Sequence, residues 1–290
     1  MSFQILTDTT CDLPFSYFRE HQVDVLGMIV TIDQKEYHTA HEGELTPERL
    51  LGLLDEGKLA TTSQINFSEF EAAFRKYAEL EEEVLYLCFS SGLSGTFQSA
   101  LMAREVVLED FPRAEINIID TLAAATGEGL LVDLAVRLRD EGLEANVVIE
   151  RLKAVIPNVR SWVLADDLYH LMRGGRVSKT SAFIGTLANI KPIIHVTRDG
   201  RLEPVAKVRG QKKGLKYLFD ETIKDLAAPE SQAIWIGHSG IEEVALEMKD
   251  KILEVLPNAT VNILPLGPTI AAHTGRGTLA VFSVGSKERD

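Results

Sequence analysis

Short apolar runs alternate with amphipathic helices through the first half of the chain, and strands then gather around a hairpin signal. Together these patterns predict an α/β protein of two domains. Residues 1–157 form an N-terminal, Rossmann-like α/β domain with a parallel sheet. Residues 158–290 form a C-terminal α+β domain with a mixed sheet. The length agrees, since 290 residues correspond to about two domains of roughly 150 residues each. The boundary is placed near Pro157-Asn158.

In chain order, Gln4 to Leu6 predicts a short strand followed by the polar turn TDTTCDLP, and Val23 to Thr31 predicts a second strand. Thr46-Pro47-Glu48 combines an N-cap, a proline at the first helical position and an acid in the first turn. Ser68 to Glu71 reads as a capping box before a helix whose Phe70, Ala73, Phe74 and Tyr77 share one face. Val84 to Phe89 is a continuous apolar run of the length of a buried parallel strand. Thr96 to Leu108 is helical by period, Ile116 to Ile119 is a strand ending at Asp120, and helices follow at Gly129 to Leu143 and Ala145 to Ile156. This βαβα order implies a parallel sheet covered by helices. In the second half, strands are expected at Ser161 to Ala165, Ala233 to Gly237, Val261 to Leu264 and Leu279 to Val284. Helices are expected at Lys212 to Asp225 and Glu242 to Val255, and Asp199-Gly200 marks a type I′ hairpin turn within Ile193 to Arg209.

Composition excludes several classes. Two cysteines, Cys11 and Cys88, rule out a disulfide framework and a CxxC metal site. No apolar run approaches the roughly 18 residues of a membrane span, and MSFQILTDTT lacks signal-peptide features. The expected location is the cytoplasm, without stable membrane insertion. A net charge of −13 argues against nucleic-acid binding. Arg173 to Lys216 runs against that balance, with eleven basic residues against two acidic ones. It is either a solvated basic face or a docking surface for an anionic ligand or acidic partner. His38-x-x-His41 is the one close histidine pair and fits a surface loop better than a metal site, so no metal or cofactor is expected.

Four polar segments interrupt the apolar pattern: Thr61-Thr62-Ser63-Gln64 between two helices, Ser90-Ser91-Gly92-Leu93-Ser94-Gly95-Thr96, Arg173-Gly174-Gly175-Arg176, and Gly267-Pro268 with His273-Thr274-Gly275-Arg276-Gly277. The second places a glycine-bearing turn where a parallel strand hands over to a helix. Free backbone N–H groups and the helix dipole favour an anion there, and Ser94 and Thr96 add hydroxyls. Ser94 also suits a plain N-cap. The string is neither a G-x-S-x-G elbow nor a Walker A loop. Arginines at 173 and 176 match carboxylate or phosphate geometry. His273, in its glycine-rich stretch, can donate to a carboxylate or exchange a proton.

These segments, in this order, resemble the DegV family of bacterial proteins. The resemblance rests on Thr7-Asp8 with Asp12-Leu13-Pro14, Thr62-Ser63-Gln64, Ser90 through Ala100 (SSGLSGTFQSA), Gly174-Gly175-Arg176, Lys191-Pro192, and Gly267-Pro268 with His273-Thr274-Gly275. It spans nearly the whole chain. It implies a two-domain carrier that performs no chemistry alone and holds a long-chain fatty acid in an apolar tunnel. The carboxylate lies near the domain interface and is presented to a separate ATP-dependent fatty acid kinase that makes acyl-phosphate. Carried over by motif, Thr62 and Ser94 contact the carboxylate, Arg176 and His273 complete the head-group site, and Ser63, Gly95, Thr96 and Arg276 are additional candidates. The basic stretch would then flank the head group and help dock the kinase or steer its bound nucleotide. Two positions depart from the family pattern. Ile65-Asn66 replaces Pro-Ser, freeing Ile65 to line the tunnel, and Arg276 replaces a proline, adding a charge contact or altering loop rigidity. The rivals are a serine-dependent hydrolase or transferase using Ser94 and His273 with Asp120 as orienting acid, a carrier for another small anionic metabolite, and a regulatory binding protein.

Overall fold

A computed structural model describes residues 3–166, 168–178, 189–228 and 233–290. The chain opens with strand β1 (Gln4–Asp8), a single 3₁₀ turn, helix α1 (Phe15–Glu20) and strands β2 (Val23–Leu26), β3 (Ile29–Ile32) and β4 (Lys35–His38). Helix α2 (Pro47–Asp55) starts as its sequence predicts, with Thr46 Oγ1 accepting the Arg49 N–H. Next come β5 (Ala60–Ser63), α3 (Phe67–Leu80), β6 (Val84–Cys88), α4 (Thr96–Asp110), β7 (Ile116–Asp120), α5 (Thr126–Asp140) and α6 (Ala145–Val155). The second half contains β8 (Val159–Leu164), α7 (Tyr169–Arg173), β9 (Ile190–Val196), β10 (Leu202–Arg209), α8 (Gln211–Lys224), β11 (Ala233–His238), α9 (Glu242–Val255), β12 (Thr260–Pro265), α10 (Pro268–Thr274) and β13 (Leu279–Val284).

Two main sheets organise these elements. A four-stranded parallel sheet has the order β2-β1-β6-β7, and a six-stranded mixed sheet has the order β10-β9-β8-β13-β11-β12. Within the six-stranded sheet only β11 and β12 run parallel. Strand alternation gives each sheet two apolar faces. On the parallel sheet, Leu6, Val84, Tyr86 and Cys88 meet Phe70 and Phe74 of α3 and Ala100 and Ala103 of α4. Its other face, with Ile5, Leu85 and Leu87, meets α5. Trp235, Ala280 and Phe282 of the mixed sheet meet α5 from the opposite side. The outer face of that sheet carries Leu164, Ile193, Ile234 and Ile236 under α8 and α9. The α/β prediction with a parallel and a mixed sheet therefore holds. Among the described residues, no helix is long and apolar enough to cross a membrane.

Some local expectations are corrected. The predicted strand Val23 to Thr31 is two strands in two sheets, broken at Gly27-Met28. Thr61 to Ser63 is not a loop between helices but β5, which joins β3 and β4 in a small antiparallel sheet of order β4-β3-β5. The N-cap of α3 lies two residues before the expected Ser68, because Asn66 accepts the Glu69 N–H and donates to the Glu69 carboxylate. The hairpin is present, but its turn has three residues. Thr197 N–H donates to Arg201 C=O, Gly200 N–H donates to Thr197 C=O, and Gly200 takes a φ of 72°. That is the longer connection in which glycine holds the left-handed position, not a two-residue type I′ turn. A Cβ at Gly200 would also strike Ser90 Oγ, which donates to the Gly200 carbonyl at 2.7 Å.

A buried acid pair sits between the end of β1 and the first turn of α5. Asp8 and Glu128 are both fully buried. The Thr10 hydroxyl lies against Asp8 Oδ1 and 3.0 Å from Glu128 Oε2. One hydroxyl proton serves one carboxylate, so the other acid keeps its own. Asp8 accepts three further donors, and burial pushes the Glu128 carboxyl well above its ordinary range. Glu128 is therefore the protonated partner. A raised folded-state pKa gives stability that is complete below the unfolded value of about 4.5 and is lost as pH rises through the folded value. Glu128→Gln is expected to remove that loss. Its gain in unfolding free energy over the native chain should be larger at pH 8 than at pH 5. Denaturant midpoints at the two pH values check this, and parallel pH profiles would show that Glu128 is ionised in the fold.

Candidate functional site

The C-terminal ends of β1 and β6 are neighbours at the point where strand order reverses, the usual ligand side of an open parallel sheet. The chain leaves β6 at Phe89 and turns through Ser90 to Gly95 before α4. Gly95, not Ser94, is the N-cap of α4, and Ser94 Oγ accepts the Thr96 N–H at 3.3 Å and lies 2.9 Å from Thr96 Oγ1. Opposite this loop, α10 packs on the small sheet through Ala271 and Ala272 against Val30, Ile32 and Ala60. That packing carries His273 to Thr62 on β5, with Nε2 2.7 Å from Oγ1. Residues 211 apart in the chain meet here.

Arg173 and Arg176 approach from α7 and the turn after it. Arg173 donates to the Ala60 carbonyl at 2.8 Å, and Arg176 donates to the carbonyls of Leu93 at 3.2 Å and Gly174 at 2.6 Å. Gly174 lies so close to the imidazole that a Cβ would run into His273 Nδ1. Burial, reinforced by Arg176, Arg173 and His170, pulls the His273 pKa down to about 4. The imidazole is thus neutral at neutral pH, and the arginines supply the positive charge. Burial also lowers the Arg176 pKa, which marks a cation held partly out of water.

Thr62, Ser94, Arg176 and His273 all line one cavity, concave and mostly apolar with a few polar groups, as small-molecule sites usually are. They form its polar end. The remaining wall is mostly aliphatic and aromatic: Met28, Phe89, Leu93, Ala124, Ala125 and Leu266 on one side, and Val163, Ile194, Val196, Leu202, Ala280 and Phe282 from the six-stranded sheet on the other. The cavity wall includes a residue in an unusual conformation, since Ala125 has φ 55° and ψ −149°, a region kept almost wholly for glycine.

Other candidates fall outside the cavity wall. Ser63 follows Thr62 on β5, so its side chain takes the opposite face and is exposed. Gly95 packs against Gln64, and Thr96 is buried beneath Ser94. Arg276 makes a charge contact, but with Asp55 of α2 at 2.7 Å, away from the head-group end. Ile65 does not line the tunnel; it is buried in the core with Phe70 and Phe74. Asp120 is not joined to His273, because Oδ1 accepts the N–H groups of Ser91 and Leu122. Ser94 and His273 thus have Thr96 and Thr62 as hydrogen-bond partners instead of each other, and the hydrolase reading gains no support. In the basic stretch Lys191 pairs with Asp166, and the exposed Arg198 and Lys216 pair at the surface with Glu288 and Asp220, while Lys179 lies outside the described residues. His41 is tied to Glu44 at 2.9 Å.

Fold and cavity together define an α/β protein with a mostly apolar cavity between its two main sheets and a cationic, hydrogen-bonding end. The sequence assigns it further. Residues 2–286 match the family described as "Uncharacterised protein, DegV family", and the chain belongs to the DegV family. It is 46% identical over 290 residues, all of both chains, to the DegV domain-containing protein YteA of Lactococcus lactis. A DegV family protein from Thermus thermophilus, solved as a fatty acid binder, is 30% identical with a TM-score of 0.88, over 98% of this chain and 100% of its own. DegV of Bacillus subtilis, a fatty acid binding protein, is 27% identical with a TM-score of 0.84, over 97% and 98%.

Proposed function

We propose that this chain is a carrier for one long-chain fatty acid. The carboxylate is held by Thr62, Ser94, Arg176 and His273, and the acyl chain lies between walls supplied by domains 1–157 and 158–290. The observation that carries this reading is the polarity of the cavity: Thr62, Ser94, the neutral His273 imidazole and the Arg176 guanidinium gather at one end, and apart from Thr269, Thr274 and Thr278 the remaining lining is apolar. Burial of the chain supplies most of the affinity, about 0.8 kcal/mol per methylene, and the polar end fixes its direction. The fatty-acid-binding relatives support the same reading.

The carrier performs no chemistry itself and presents the carboxylate to a separate ATP-dependent kinase in the cytoplasm, which forms the acyl-phosphate. Arg173 and Arg176 beside the carboxylate site favour the added negative charge of that product. Mass spectrometry of the purified protein, native and then solvent-extracted, is expected to show a near-stoichiometric fatty acid. The Thr62→Ala/Ser94→Ala double variant should retain it at least about tenfold less well, since each hydrogen bond to a charged group contributes about 1.5–3 kcal/mol. Unchanged retention would remove the head-group assignment. A protein that is empty and takes up no added fatty acid would remove the carrier reading altogether.

A further inference from the structure

The cavity has a far end, and the strand register locates it. Thr278 donates its hydroxyl to the Thr274 carbonyl, beside His273, so the start of β13 lies at the polar end. Ala280 is paired with Val163, which is paired in turn with Ile194, and these three make the next rung facing the cavity. One rung further on are Phe282 and Ser161, level with Val196 and with Leu202 opposite it. From Thr278 to Phe282 is four residues, or about 13 Å of strand.

At this last rung the sheet opens. Strands β8 and β9 pair only from Trp162–His195 to Leu164–Ile193, so Ser161 and Val196 have no partner across the gap. The gap is filled from another part of the chain: the Asp290 carbonyl accepts the Arg198 N–H, and the Arg289 N–H donates to the Pro157 carbonyl. A second cavity lies there, lined by Arg160, Ser161, Lys224, Asp225 and Lys287 among others. Eight of its twelve lining residues are charged, with Trp162 and His195 beside them, whereas Arg176 is the one arginine, lysine or acid lining the tunnel. Among the described residues, Val196 alone lines both spaces.

We infer that Val196 is the stop of the acyl tunnel. It sets the preferred chain length by separating an apolar space from a polar one. A chain of the right length ends its methyl group against Val196, Phe282 and Leu202. One more methylene meets the valine side chain or, beyond it, ion pairs that an alkyl group cannot satisfy. This inference rests on the fatty acid reading.

The test loads the purified protein with an equimolar mixture of saturated fatty acids of graded length, removes unbound lipid and measures the bound distribution by mass spectrometry. Val196→Ala frees the space of about two methylenes, and Val196→Ile takes away about one. The alanine variant is expected to move the distribution to longer chains and the isoleucine variant to shorter ones. The ratio of neighbouring lengths should change by up to about fourfold per methylene. Both substitutions are aliphatic, and thermal melts confirm that each variant is folded. Opposite shifts support the stop. Identical distributions, or shifts in the same direction, overturn it while leaving the carrier reading intact. A native protein that binds no member of the mixture overturns both.

Discussion

Ala280→Phe is expected to empty the protein of lipid while leaving it folded. Ala280 is buried, faces the tunnel and is paired with Val163 on one side and Gly237 on the other. A phenyl ring there enters the space that the acyl chain has to cross between His273 and Val196. Overpacking a filled core costs about 1–3 kcal/mol, but this ring has open volume to enter, so the melting temperature should change little. The tail then loses its path and most of the burial that holds it. Solvent extraction followed by mass spectrometry, with a thermal melt of the same sample, is the measurement. A variant that kept native stoichiometry would show that the chain does not pass this rung.

Asp8→Ala should have the largest effect on stability. The Asp8 carboxylate accepts from Thr10 N–H at 3.1 Å, Tyr86 hydroxyl at 2.9 Å and Phe89 N–H at 3.1 Å, in addition to the Thr10 hydroxyl, all out of contact with water. Leaving a buried donor unpaired costs about 1–3 kcal/mol, so several at once predict a loss on the order of 3–5 kcal/mol. The damage reaches the ligand site because Phe89 lines the tunnel. Lipid retention should fall along with the unfolding midpoint. An unfolding free energy within about 1 kcal/mol of native, the scatter of such extrapolations, would mean that water replaces the carboxylate and that the loop after β6 does not depend on it.

Much of this molecule was legible in its sequence. The βαβα alternation of the first half became four parallel strands, and the run from Val84 became a strand buried along its whole length. The polar segments around Thr62, Ser94, Arg176 and His273 do converge on one cavity. What escaped reading was set by distant contacts. Ala60 to Ser63 has the polarity of a loop and is a strand because β3 and α10 cover it. Pro268 to Thr274 offers too few residues for a helical period, yet Pro268 starts a helix whose alanines pack on β5. The tunnel wall itself left the weakest trace. In Leu279 to Val284 both faces are apolar, so nothing in the local pattern says that Ala280 and Phe282 face the ligand space while Leu279 and Val281 face α8 and α9. Arg276 was visible as a departure from its family, but its partner Asp55 lies 221 positions away.

Helix α5 has no outward side along most of its length. From Thr126 to Val132 every residue is buried, and the helix touches strands of both main sheets. It works as a shared beam and belongs equally to both halves. Two bodies joined by a linker can swing apart to let a guest in. Two bodies bolted to the same beam cannot part without exposing it to water. Entry and exit of a ligand must therefore come from the rim of the cavity, where single loops and short helices can yield one at a time. For the same reason the whole chain should gain or lose its order as one unit.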